Sequence, residues 1–522
     1  HLRHDEDIAN EISKTAYGRA RALLYDFSEE TAWVEPTLLS LRQEQLDALL
    51  ASPILQEYHF HLEKIIRVKK YTLPSEQEQL IARASKAMQT PQKSFEALND
   101  ADFKFPSIVN SKGETKELTH ALYGLYLRDP DRELRKNAFK SLHGKFADYE
   151  NTLCEVLQGE MQIHHFNAEV RGFSSSLEAA LYPRNIDTNV YHALIEAVSG
   201  GISALHKYIS LRKRVLKLDS LHLYDMYVPL VPNVDMRIPY EEAESLIIES
   251  VAPLGSEYQE QLAYGLKEQR WVDRYENKNK RSGAYSSGCY DSMPYILMNY
   301  KGILRDAFTL AHEAGHSMHS LLTHKHQPYH YGNYPIFVAE VASTFNEELL
   351  MQLLLQRETD KDRKIFLLNE KIEDIRGTLF RQTMFAEFEL ALHRLVETET
   401  PLTPQLLKAE YRKLNQKYFG EDVTIDDVAD IEWARIPHFY YNFYVYQYAT
   451  GISASLALSE LVTKGSTNER DAYLDFLKGG SSRYPIDLLK TAGVDMRSPA
   501  PVQAAITKFS SLVDELETLL SP

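Results

Sequence analysis

Two histidines four residues apart with a carboxylate between them, His312-Glu313-Ala314-Gly315-His316, constrain this chain more than any other stretch. On a helix, positions i and i+4 share a face, so both imidazoles can turn a ring nitrogen toward one point, a metal-binding arrangement. Glu313, beside the first histidine, can reach a water at that point without itself becoming a ligand. The helix stands on its own periodicity: Leu304, Ala307, Ala311, Ala314, Met318 and Leu321 recur at three and four and form an apolar stripe. The motif alone is short. In a chain with 19 histidines, a helix carrying solvated or core-satisfied imidazoles is the competing reading, and other stretches must decide between them.

Length and charge narrow the classes. A chain of 522 residues that is 44% hydrophobic can bury a large core and could hold two to four domains. Its formal net charge of -16 argues against a nucleic-acid binder, which needs a basic stripe to displace counterions. Cys154 and Cys289 lie far apart with no CxxC, so neither a disulfide framework nor a thiolate metal site is indicated, which fits a reducing cytoplasm. No apolar run is long enough to span a bilayer, and His1-Leu2-Arg3-His4-Asp5-Glu6-Asp7 is too charged for a signal peptide. The start on His1 points to a fragment or a trimmed product.

Along the chain, residues Ile8 to about Met88 read as helical, with breaks at Tyr25-Asp26-Phe27-Ser28 and Ala51-Ser52-Pro53 and a helix start at Pro74-Ser75-Glu76-Gln77. Phe103 to Glu114 reads as a strand running into a turn, a plausible boundary. Asp131 to Glu169 is long and amphipathic, and another helix follows Pro183-Arg184-Asn185. No fixed-period repeat suggests a solenoid. Lys278 to Gly288 reads as a flexible glycine-serine loop and lacks both P-loop and dinucleotide spacing; Pro294 to Tyr300 then reads as a strand. That strand is either an ordinary core strand or one whose free backbone pairs with an extended peptide beside the histidine helix.

A catalytic zinc takes three protein ligands and keeps an open position, so a carboxylate on a second helix is needed. Glu340 supplies it. It sits in the apolar run Ile336-Phe337-Val338-Ala339-Glu340-Val341-Ala342, where an unpaired carboxylate is costly and a cation is called for. Its separation of 28 residues from His312 leaves room for a turn over His324 to Gly332 and a return helix. Glu347, two turns on, suits an acceptor for a ligand histidine's N–H, whereas Glu348 falls off that face and is expected to be solvated. His319, His324, His326 and His330 read as surface or supporting groups. Farther on, Arg435 to Gly451 reads as a helix opened near Pro437, with His438, Tyr441, Tyr444 and Tyr448 on one face at spacings of three, three and four. Phenol and imidazole donors so gathered could hold a developing oxyanion; the bland alternative is an aromatic packing helix.

Together these stretches resemble the thimet oligopeptidase family of zinc peptidases, most closely its oligoendopeptidase F branch. The resemblance rests on His312 to His319, on Phe337-Val338-Ala339-Glu340-Val341-Ala342-Ser343, and on His438-Phe439-Tyr440-Tyr441 with Phe443 to Tyr448. It is completed by Gly479-Gly480-Ser481 and Ala492-Gly493-Val494-Asp495, and it spans most of the chain from about residue 120 onward. It implies a mainly α, zincin-like (neurolysin-like) fold of two lobes around a deep substrate channel, with a small β-sheet beside the zinc helix. Residues 1–119 would form an N-terminal helical domain, shorter than in other members, and 120–522 the zinc metallopeptidase catalytic domain.

By the same resemblance, His312, His316 and Glu340 match the ligands of one zinc ion and Glu313 the catalytic base. His438 with Tyr441, Tyr444 and Tyr448 matches the substrate and transition-state binders. The spacing after His438 is compressed relative to the thimet branch, which leaves open whether Tyr441, Tyr444, Tyr446 or Tyr448 reaches the reacting carbonyl. The implied activity is cytoplasmic hydrolysis of internal bonds in short peptides, with no nucleic-acid or membrane partner. A zinc exopeptidase, carboxy- or aminopeptidase, would use the same ligands but needs a charged anchor for a free terminus. A non-catalytic helical binding protein would leave Glu313 without a purpose.

Overall fold

A computed structural model describes residues 1–231, 234 and 236–521. Helices dominate, and the sheets are small: two two-stranded pairs and one of three strands among the described residues. The N-terminal helices cover little. Helix Glu11–Thr31 is capped by Asn10, whose side chain accepts from the Ile12 and Ser13 N–H groups, yet it buries no residue and leaves Leu23, Leu24, Tyr25 and Phe27 exposed. The break expected at Tyr25 to Ser28 is absent. Ser28 Oγ donates back to the Leu24 carbonyl at 2.8 Å, so the serine is satisfied inside the helix instead of ending it. The break at Ser52-Pro53 is present, as a 3-10 turn over Pro53–Tyr58, and helix Ser75–Met88 starts directly after Pro74.

The expected strand after Phe103 contracts to an antiparallel hairpin of Ile108–Val109 with Thr115–Lys116. The long amphipathic stretch divides into helices Arg132–Ala147 and Glu150–Val170. The first is capped by Asp131, which accepts from the Glu133 and Leu134 N–H groups. Helix Thr188–Gly200 follows a turn in which Asn185 takes φ 53°. The main core fills the rest of the chain. Helix Ala500–Leu520 buries Val502, Phe509, Val513 and Leu516 against helices Lys361–Ile375 and Tyr446–Lys464. Both cysteines are free, Cys154 buried and Cys289 exposed. Among the described residues no helix is long and apolar enough to cross a membrane.

The three-stranded sheet decides between the two readings of Pro294 to Tyr300 in favour of a core strand. Tyr295–Leu297 lies at its centre, parallel to Val272–Asp273 on one side and antiparallel to Tyr285–Ser287 on the other. With both edges paired, it has no free backbone to offer. The segment read as a flexible glycine-serine loop instead contains the edge strand, Tyr285–Ser287, because Tyr285 and the two serines pair with the buried strand next to them. Ser286 Oγ lies 2.8 Å from Ser317 Oγ, which seats this edge on the histidine helix. The chain's first helix, Leu2–Glu6, holds the sheet from the other side: buried Asp5 accepts from Arg281 at 3.0 Å and from the Tyr285 hydroxyl at 2.9 Å.

Candidate active site

The histidine helix runs Leu304–His326 and buries Leu304, Ala307, Ala311, Ala314 and Met318, the stripe its periodicity predicts. The chain turns over Tyr329–Tyr331 and returns as helix Ile336–Arg357, and the two helices pack along each other. Gly315 permits their approach. A Cβ there would stand 2.8 Å from both the Ala342 carbonyl oxygen and the Ser343 Cα, backbone that cannot move aside. The glycine inside the motif therefore sets the distance from the two histidines to Glu340.

At that contact three atoms converge. His316 Nε2 lies 3.1 Å from His312 Nε2, and Glu340 Oε2 lies 3.3 Å from the first histidine's Nε2 and 3.8 Å from the second's. Donors bonded to one tetrahedral zinc at 2.0–2.1 Å stand about 3.3 Å apart, so this triangle is already the size a single ion requires. Among the described residues these three form the one group of His, Cys, Asp or Glu that could share a metal. Electrostatics agree. Burial opposes a charge on His312, yet hydrogen bonds to Glu340 and Glu347 raise its pKa to about 10, while burial and the His312 charge depress His316 to about 4. The cluster draws positive charge to one point, and a dication can satisfy all three atoms where a proton satisfies fewer. Glu340 itself is more open than its apolar neighbours suggest, with 39% of its side chain exposed.

Supporting groups fix the ligand geometry. Glu347 Oε1 accepts from His312 Nδ1 at 2.6 Å, which points Nε2 at the cluster. Glu313 is only 7% exposed; burial raises its pKa, opposed by the nearby His312 charge and the Ser286 N–H of the edge strand. The expectation for Glu348 fails: it is 2% exposed and pairs with buried Lys371 at 3.0 Å, because helix Lys361–Ile375 covers the face the helical projection left to solvent. His319 is buried and stacks on Tyr334 at 3.7 Å, and the Tyr334 hydroxyl donates to the His316 carbonyl at 3.3 Å. His326 bonds the Leu322 carbonyl, His330 lies 3.0 Å from the Glu57 carbonyl, and His324 sits against Tyr290, so none of these joins the cluster.

The aromatic stretch is not the helix its spacing predicts. Pro437–Tyr440 forms a 3-10 turn, Asn442 and Phe443 take φ 47° and 55°, and the α-helix begins only at Tyr446. Two consecutive left-handed residues break any helical register. Even so, the four side chains meet. Ring centroids separate His438 from Tyr441 by 5.7 Å, from Tyr444 by 6.2 Å and from Tyr448 by 5.5 Å, and the Tyr448 hydroxyl is 3.3 Å from His438 Nε2. Burial depresses the His438 pKa, favouring neutral imidazole, and raises that of Tyr448, with Tyr444 and Glu340 adding to the rise. Tyr446 turns away: it is 1% exposed and packs on Tyr191 and Phe337. Helices Ile336–Arg357 and Tyr446–Lys464 pack together, which brings this cluster to the Glu340 side.

Sequence reasoning passed over Ser286, Lys371 and Glu389. The first two carry no local signal. Glu389 does, since it is a carboxylate set among Phe385, Phe388, Leu390 and Leu392, the same anomaly that marked Glu340.

Comparison with known proteins agrees with this geometry. The model of peptidase family M3 matches residues 125–508, and an N-terminal model described as oligopeptidase F matches residues 38–105. The chain is 46% identical to oligopeptidase PepF of Bacillus subtilis (strain 168), over 100% of this chain and 78% of that protein. It is 39% identical to an oligoendopeptidase F of Lactococcus lactis subsp. cremoris, over 99% of this chain and 86% of that one. Among solved structures, oligoendopeptidase-F from Enterococcus faecium superposes with a TM-score of 0.79 at 36% identity, covering 99% of this chain and 89% of that one.

Proposed function

We propose, for a chain that belongs to peptidase family M3 and is a metalloendopeptidase of oligopeptides, that His312, His316 and Glu340 hold one zinc ion and that Glu313 is the base. The convergence of His312 Nε2, His316 Nε2 and Glu340 Oε2 on one point carries the reading. Bound there, zinc supplies Lewis acidity toward a water and a peptide carbonyl. Everything else falls to the chain. Glu347 keeps His312 in the tautomer whose Nε2 lone pair is free. Glu313, its proton affinity raised by burial, takes the proton of the attacking water and returns it to the leaving amine. As the carbonyl oxygen gains charge, the hydroxyls of Tyr448, beside His438, and of Tyr444 donate to that oxygen, with Tyr441 packed next to them. One such donor contributes about 3 kcal/mol. The edge strand Tyr285–Ser287, whose outer side has no partner strand and whose Ser286 N–H reaches Glu313, is placed to align an extended peptide over the histidine helix.

The substrates are short peptides cut at internal bonds in the cytoplasm, and residues 1–119 form an N-terminal helical domain over a catalytic domain of 120–522. A length series of quenched fluorescent peptides blocked at both ends, assayed with chelator and again after zinc is restored, tests the reading. Hydrolysis should vanish with chelator, return with zinc and fall with length. E313Q should retain zinc and lose about 10³-fold in kcat, and a wild-type rate from that variant would refute the base assignment.

A further inference from the structure

Between Tyr441 and Tyr444 the backbone passes through two left-handed residues, and the second is Phe443. Asparagine tolerates that region; for a bulky aromatic residue it is an outlier that persists only where the surroundings enforce it. The Phe443 amide donates to Glu389 Oε1 at 2.6 Å, across 54 residues of sequence. Glu389 lies on helix Arg381–Glu397 and is completely buried. Its other oxygen has no hydrogen-bond partner, and burial pushes its pKa to about 8 against the pull of the Phe443 N–H. The Phe443 ring is gripped as well, 4.1 Å from the His393 ring and 5.5 Å from that of Tyr191. A carboxyl group removed from water for a single backbone partner, its other oxygen unpaired, opposes stability, so packing alone does not account for it.

We propose that Glu389 is a positioning residue for peptide cleavage: by accepting the Phe443 N–H it holds the left-handed turn that turns Tyr441 and Tyr444 back toward His438 and Tyr448. Without that acceptor the turn relaxes toward negative φ, and the two tyrosines, whose register depends on it, leave the cluster. The proposal rests on the reading of Tyr444 as an oxyanion donor. Glu389 touches neither substrate nor ligand, so its loss acts on kcat while KM and bound metal hold.

Two variants separate reach from ionisability. E389Q keeps an acceptor at the same reach and removes the titratable group; E389D keeps the carboxyl and withdraws it by one methylene. E389Q is expected within threefold of the wild-type kcat. E389D is expected to lose at least tenfold in kcat, with KM and zinc content unchanged and faster amide exchange confined to residues 438–448. In a Y444F background, E389D should add little further loss, since both changes remove the same donor. The proposal is overturned if E389D keeps the wild-type kcat, if E389Q falls as far as E389D, or if the two losses multiply. Global loss of folded structure in E389D would likewise overturn it, by making Glu389 a core element. A wild-type kcat in Y444F would instead strike the oxyanion reading, and an impaired Y444F beside a normal E389D would sink only the role of Glu389.

Discussion

The two halves of the candidate active site are built in opposite ways. The ligand half stands on two regular helices, where a spacing of four residues becomes a shared face and Gly315 sets how closely the second helix brings Glu340. The aromatic half stands on a strained turn, where the same sort of spacing means nothing because Asn442 and Phe443 are left-handed. Regular backbone converts sequence distance into geometry. Strained backbone does not, and its side chains are placed by whatever holds the strain.

The sharpest probe of the contrast is Tyr448→Phe. Removing one hydroxyl aimed at developing charge should cost about 10²-fold in kcat with little change in KM, measured on a blocked peptide. An equal loss in affinity and turnover would move Tyr448 from transition-state to ground-state binding. On the helical side, Glu347→Gln weakens the acceptor for His312 Nδ1 and should lower zinc affinity by about 10- to 100-fold, read by competition with a chelating dye. If affinity held and only kcat fell, the ligand half would be less dependent on its supporting shell than the aromatic half.

Gly315→Ala tests the helix contact itself. A Cβ forced against Ala342 and Ser343 should cost about 1–3 kcal/mol of stability and weaken zinc binding with it. Unchanged metal affinity would show that the helices can separate without spreading the ligands. The smallest effect concerns the turn. Glu389, facing Tyr191, His393 and the Phe443 N–H, binds its proton more tightly in the folded state, up to about 8 against an ordinary 4.5. Folded protein therefore holds the extra proton between those values, and this site's contribution to stability declines as pH rises from 4.5 toward 8. Replacing Glu389 by Gln should flatten that part of the stability profile in denaturant titrations; an unaltered slope would show that the carboxylate is already charged in the fold.

Much of the ligand half was legible because its information is local. The apolar stripe from Leu304 to Met318, the pair His312 and His316, and a carboxylate stranded among Val338, Ala339 and Val341 each announce themselves within one or two helical turns. Where projection onto a helix went wrong, as with Glu348, the cause was another element: helix Lys361–Ile375 covers that face and supplies Lys371. The loop reading of Lys278 to Gly288 failed for a similar reason. An apolar run such as Tyr295–Leu297 advertises burial at a sheet's centre, whereas the edge strand Tyr285–Ser287 is written in residues that look like loop.

Residue type and helical period alone mark the residues that can bind a metal and the carboxylate that can move a proton. Only the tertiary structure decided the aromatic geometry. It turned Tyr446 into the core, left Tyr448 beside His438, and gave the Phe443 N–H, between Tyr441 and Tyr444, a carboxyl acceptor 54 residues earlier in the chain. The physical reason is that a left-handed aromatic residue has no local preference for its own conformation. Its geometry belongs to the contacts that enforce it, and no spacing along the chain can encode them.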